Sequence, residues 1–203
     1  MLKSCLWATT SNKQLNFLQH VRSLLKINGR VAIVVPDNVL FEGGAGETVR
    51  RKLLRECDVH TLLRLPTGVF YAQGVKANVL FFDRKPASLM SWTKDLWIYD
   101  LRTNMHFTLK TNPLTYEGLK DFIQCYSPEN RLKREETERF KRFTYEELVQ
   151  RDKANLDISW IRDESLEDTE NLPDPDIIAA EIIENLESAL DQFSSIYEDL
   201  TEK

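Results

Sequence analysis

Cysteine is scarce in these 203 residues, and the three present, Cys5, Cys57 and Cys125, form no Cys-x-x-Cys pair. That argues against a disulfide framework and a structural zinc site, and fits a reducing cytoplasm. Seven Gly and seven Pro are too few for a collagen-like or proline-rich chain. The longest unbroken apolar run, Val31 to Pro36, is far short of a bilayer, so neither a transmembrane helix nor a membrane partner is expected. Met1 to Trp7 carries one charge and too short an apolar run for a secretory signal. The three histidines, His20, His60 and His106, lack metal-ligand spacing, so no metal is expected. Gly-x-Ser-x-Gly and His-Glu-x-x-His are absent. Glu42-Gly43-Gly44-Ala45-Gly46-Glu47-Thr48 is glycine-rich and precedes a helix, but lacks the Gly-Lys-Ser/Thr that grips a nucleotide.

What is present is an ordinary globular balance, 42% apolar and 29% charged, with a lopsided charge distribution. Residues 1–162 hold 26 Lys and Arg against 18 acids, whereas 163–203 hold one Lys against 14 acids. A mildly basic body can face a polyanion; the acidic tail cannot. The plainer reading of both is a solvated surface.

Leu15, Leu18, Val21, Arg22 and Leu25 recur at three and four and predict a helix over 14–25, capped by Ser11 or Asn12 and stopped at Asn28-Gly29. Arg30 to Pro36 reads as a strand buried on both faces, because its β-branched run does not alternate. A helix over 47–56 with Val49, Leu53 and Leu54 inward and a strand over 59–65 continue an α/β pattern. Ala77 to Phe82 is a third strand. The link between the last two is too short and too irregular for a parallel crossover, so they are expected as antiparallel neighbours. Leu96–Tyr99 and Met105–Leu109 read as a hairpin around Arg102-Thr103-Asn104. Leu119–Tyr126 reads as a short helix, and Arg131 to Arg142 as a solvated, charged linker. Thr144 with Glu147 is a capping box.

The last segment is the most regular. Asp174-Pro175-Asp176 is a helix start. Ala179, Ile182, Leu186, Ala189, Phe193, Ile196 and Leu200 then alternate in steps of three and four, an a/d seam widened by Ile183, Leu190 and Tyr197. The seam either folds back on its own core or packs on a partner, and partner packing is preferred. The expected organisation is 1–126 as an α/β domain, 127–172 as a charged linker with short helices, and 173–203 as a coiled-coil-like helix.

Phe70 and Tyr71 lie in the connector between the two antiparallel strands, followed by Gln73 and Lys76. Loops at strand ends line the ligand crevice of an open α/β sheet. Exposed aromatics beside amide and cationic groups suit a flat base next to a phosphate. On composition alone, Val69 and Phe70 plugging the sheet edge is preferred.

From Trp7-Ala8-Thr9-Thr10-Ser11-Asn12-Lys13-Gln14 onward, the chain resembles the modification (M) subunit of type I restriction-modification systems, which are adenine-N6 DNA methyltransferases. The resembling segments are Asn28 to Phe41, Leu65 to Phe82, Trp97-Ile98-Tyr99-Asp100-Leu101-Arg102 and Asn155-Leu156-Asp157. The resemblance implies the C-terminal part of a Rossmann-like, S-adenosylmethionine-dependent methyltransferase sheet, mostly parallel with the last strand antiparallel, followed by an α-helical tail. It implies Phe70 as the residue stacking on the target adenine, with Gln73 and Lys76 as candidate DNA contacts. It implies DNA, a specificity (S) subunit and a restriction subunit as partners, with Ile182, Leu186, Phe193, Ile196 and Leu200 forming the seam toward the partner helices. The family's Asn-Pro-Pro-Phe is missing; Asn112-Pro113-Leu114-Thr115 lacks the second Pro and the aromatic and follows the strands. The glycine-rich cofactor loop is missing too. No catalytic or cofactor-binding residue is therefore assigned, and the chain is expected to be an inactive fragment by itself, with a sticky sheet edge that favours oligomers. Any DNA binding is expected to be weak and salt-sensitive. The alternative is a non-catalytic interaction module that docks to a specificity subunit or to its own copy through the C-terminal helix.

Overall fold

A computed structural model describes residues 6–70, 75–105, 107–108, 112–163 and 175–201. Asn12 opens α1 (Lys13–Leu24), its side chain accepting from the amides of Gln14 and Leu15. Asn28, left-handed at φ 64°, then reverses the chain into β1 (Arg30–Pro36). A short α2 (Asn38–Phe41) and α3 (Ala45–Glu56) lead to β2 (Cys57–Arg64). Next come β3 (Ala77–Arg84), β4 (Asp95–Asp100) and α4 (Tyr116–Tyr126). The remaining elements are β5 (Phe140–Thr144), α5 (Tyr145–Gln150) and the 27-residue α6 (Pro175–Thr201). The Thr144–Glu147 capping box forms as expected, because α5 starts directly off β5.

The sheet order is β1-β3-β2-β4-β5. β3 runs antiparallel to both neighbours, so β1 and β2 point the same way with the reversed strand between them. β4 is parallel to β2, and β5 closes that side antiparallel to β4. The fold is α/β, and three of the five strands share a direction.

Two apolar layers cover the sheet. On one face Leu15 and Leu18 of α1 and Val49, Leu53 and Leu54 of α3 pack with Ile33, Val35, Leu62, Leu80, Phe82 and Ile98. On the other, Phe122 of α4 packs with Leu63, Trp97, Tyr99 and Phe140. A bulge between Val59 and Thr61 shifts the register, which lets Val59 and Leu62 face the same layer despite their odd spacing.

Three expectations change. β2 is buried at every residue but Asp58, yet β1 alternates: Ile33 and Val35 are buried while Ala32 is exposed and Val34 is 51% exposed. The α4 layer, built on β2, β3, β4 and β5, leaves β1 bare on that face. The partner of β4 is not 105–109 but β5, with Asp95 opposite Thr144 and Tyr99 opposite Phe140. Among the described residues of 105–109 there is no strand. The segment 131–142 is not a solvated linker. Phe140 is fully buried and stacks on Trp97 at 4.8 Å, and Arg134 is buried with its guanidinium donating to the carbonyls of His60 and Tyr126. Charge density misled there because the cations serve internal acceptors. Residues 1–162 make one compact unit and 163–203 another.

No helix among the described residues is long and apolar enough to cross a membrane. Along α6, Ile182, Ile183, Leu186, Leu190 and Phe193 are exposed. Ile196 and Leu200 lie in the helix, with side chains outside the described set.

Candidate nucleic-acid-facing site at the strand ends

β1, β2 and β4 share a direction, so their C-terminal ends lie together, and the link from β2 to β3 leaves from that side. Such ends are where open α/β sheets bind ligands. Phe70 sits on this link and is 39% exposed. The turn before it needs glycine. Gly68 has φ +82°, and a Cβ there would collide with the Phe107 carbonyl oxygen. Lys76, just before β3, is exposed. Tyr71 and Gln73 lie outside the described residues.

Behind Phe70 the strand ends carry a polar cluster that composition did not reveal. Arg64, at the end of β2, donates to the Ile158 carbonyl at 2.6 Å and to Asp157 at 2.8 Å, and lies 3.5 Å from Asp100. Asp37, directly after β1, receives both terminal nitrogens of Arg102 at 2.8 and 2.9 Å and the Asn78 amide at 2.7 Å. The usable sequence signal was indirect: Asp37, Asn78, Asp100, Arg102 and Asp157 all fall inside the resembling segments.

The remaining candidates separate. Asn112 and Pro113 follow β4; the Asn112 backbone amide donates to the Thr108 hydroxyl at 2.8 Å, and Thr108 lies beside Gly68. His20 is exposed, and His106 is outside the described residues. His60 is buried, with Nδ1 2.9 Å from the Thr61 hydroxyl and Nε2 3.6 Å from Asp83. Burial first, then the charge of Arg131, pulls its pKa well below the usual imidazole range, so the ring stays neutral. The unfolded chain takes up a proton near pH 6.5 and the native ring does not, so stability falls as pH drops below that point. Between pH 7 and 5 the cost is about 2 kcal/mol. Urea melts of wild type and His60→Gln at the two pH values check it: the variant loses that extra acid sensitivity. Asp58, raised by burial, works in the opposite sense at lower pH but is common to both proteins.

No group of His, Cys, Asp and Glu among the described residues could hold a metal. The glycine-rich turn before α3 is filled on one side only. At Gly46 a Cβ would meet Arg50 Nη1 and Glu42 Cβ, each at 3.1 Å, whereas at Gly44, with φ +59°, it would meet nothing within 4 Å.

Comparison with known proteins decides the family. The model of the N-6 DNA methylase family matches residues 2–169. The chain belongs to that family. Among curated proteins it is 42% identical to the type I restriction enzyme EcoKI methylase subunit of Escherichia coli K12, covering 94% of this chain and 42% of that one. The StySJI methylase subunit of Salmonella typhimurium is 41% identical over the same shares. The crystal structure of the EcoKI M protein superposes with a TM-score of 0.71 at 39% identity, covering 95% of this chain and 45% of that one. A structure from work on complex assembly in a type I restriction-modification system superposes at 0.64 with 28% identity, covering 97% of this chain and 41% of that one. The chain thus spans less than half the length of these methylase relatives.

Proposed function

We propose that this chain is the base-facing part of an adenine-N6 DNA methyltransferase subunit of a type I restriction-modification system, which moves a methyl group from S-adenosylmethionine to adenine in DNA. The observation that carries this reading is Phe70, an accessible ring at the shared strand ends of an N-6 DNA methylase fold. A flat apolar face there suits an adenine drawn out of its stack, and Lys76 nearby suits the adjacent phosphate. Gln73 is the third candidate for contact with DNA.

The chain does not do this alone. It has neither the family's glycine-rich cofactor loop nor its Asn-Pro-Pro-Phe, so cofactor and amine must be held by another segment. The open edge of β1, with Val34 and Phe17 beside a groove of about 330 Å³, is the natural seat for that segment. The exposed a/d face of α6 would pack on helices of a specificity subunit, and the restriction subunit completes the complex. Cys57 and Cys125 are free thiols, which suits a cytoplasmic setting.

Reassembly tests the reading. The chain is combined with the glycine-loop and Asn-Pro-Pro-Phe segment of a type I methylase and with a specificity subunit, and methylation of a cognate duplex is measured. Wild type restores transfer, and Phe70→Ala lowers kcat about tenfold to a hundredfold, the value of one base–aromatic stack. Restored transfer that is indifferent to Phe70→Ala removes the stacking role.

A further inference from the structure

Arg102 stands two residues beyond β4 on a turn built to aim it. The fully buried Asp100 carboxylate accepts the backbone amides of Arg102 and Thr103, each at 2.8 Å, and the Thr103 hydroxyl at 2.8 Å. The turn sends the guanidinium across the ends of the neighbouring strands. There Nε donates to the Leu65 carbonyl at 2.9 Å, and Nη2 donates to the Ala77 carbonyl at 3.1 Å. The two terminal nitrogens together grip Asp37, and Nη2 also approaches the Asn78 side-chain oxygen at 3.3 Å. Two backbone bonds complete the knot: Leu65 N to Ala77 O at 3.0 Å and Asp37 N to Lys76 O at 3.1 Å.

Leu65 and Ala77 are the two feet of the connector that carries Phe70. One planar fork therefore holds both feet and ties them to the residue that follows β1. The apolar layers do not require this. Neither Arg102 nor Asp37 belongs to them, and β2 and β3 are already paired from Cys57–Arg84 to Arg64–Asn78. The arrangement uses the guanidinium's fixed geometry, which an ammonium cannot copy.

We propose that Arg102 is a positioning residue for the methyl transfer: by clamping Leu65, Ala77 and Asp37 it sets where Phe70 stands relative to the turn after β1. The role rests on the reading of Phe70 as the base-stacking side chain, so two arms separate the clamp from that reading.

In the free chain, amide hydrogen exchange is followed for Arg102→Lys. Protection at Leu65 and Asp37 falls at least tenfold, while Leu62 and Ile98 in the sheet are unchanged. Unchanged exchange at Leu65 and Asp37, or equal loss throughout the sheet, overturns the clamp. Asp37→Asn is measured in the same way and decides the matter if Arg102→Lys does not fold.

In the reassembled methylase, Arg102→Lys lowers kcat at least tenfold with KM for S-adenosylmethionine unchanged. The double variant with Phe70→Ala is no slower than Phe70→Ala alone, because Arg102 acts through Phe70. A DNA probe with 2-aminopurine at the target position emits more in both single variants than in wild type, since its quenching neighbour is lost or displaced. Losses that multiply in the double variant overturn the positioning role. A wild-type reassembly that transfers no methyl group overturns the functional reading and the positioning role with it; the exchange arm then judges the clamp alone.

Discussion

Replacing Arg50 by Ala removes about 3–5 kcal/mol of stability, a large share of what a domain of this size holds. Arg50 lies on α3 and is 1% exposed. Its Nε donates to the Ala154 carbonyl at 3.1 Å, and Nη1 donates to the Val39 carbonyl at 3.0 Å. Nη2 donates to the carbonyls of Glu42 and Lys153, each at 2.7 Å. One side chain thus satisfies the end of α2, the turn into α3 and the turn at 152–154, where Lys153 and Ala154 are left-handed at φ 52° and 48°. Burial lowers its pKa to about 10, still far above neutral, so the group is charged in the native state at pH 7. Truncation leaves four carbonyls without their donor. Arg50→Lys recovers little, since an ammonium cannot reach acceptors spread around a planar fork. Urea denaturation of the two variants measures this. A loss below about 1 kcal/mol for Arg50→Ala would mean the carbonyls find other donors.

The isolated chain is expected to give no heat of binding with S-adenosylmethionine by titration calorimetry. A dissociation constant weaker than about 1 mM corresponds to less than about 4 kcal/mol of binding. A cofactor of this size needs a loop open to its polar groups and acceptors for its ribose. Here Glu42 and Arg50, both committed to the fold, occupy the turn at Gly46. Adding the glycine-loop segment restores binding, and it does so through the open edge of β1, so Val34→Lys abolishes the rescue. Micromolar binding by the chain alone would place a cofactor site among residues assigned here to structure.

Much of this was readable in the linear chain. The Leu15 and Leu18 spacing, the Asn12 cap and the Thr144–Glu147 box each act within a few residues, and each formed. The antiparallel relation of β2 and β3 followed from the shortness of their link. Phe70 was marked by its place in that link and by resemblance, although composition favoured an edge plug; the structure leaves the ring partly accessible. The hairpin at 105–109 and the linker at 131–142 failed together. β5 takes the place beside β4 from about forty residues away, and loop-closure entropy grows too slowly with length to forbid it.

Local pattern determined α1, α3 to α6, β1 to β4 and the acidic tail, and resemblance of whole segments pointed to the family. Only the tertiary structure decided which cations are internal and which face of β1 is bare. Arg50, Arg102 and Arg134 look like surface residues in sequence because their acceptors lie as far as 104, 65 and 74 positions away. Periodicity records which side of a segment is apolar. It carries no record of which distant carbonyl or carboxylate a buried guanidinium will meet, since those partners come together only when the sheet closes.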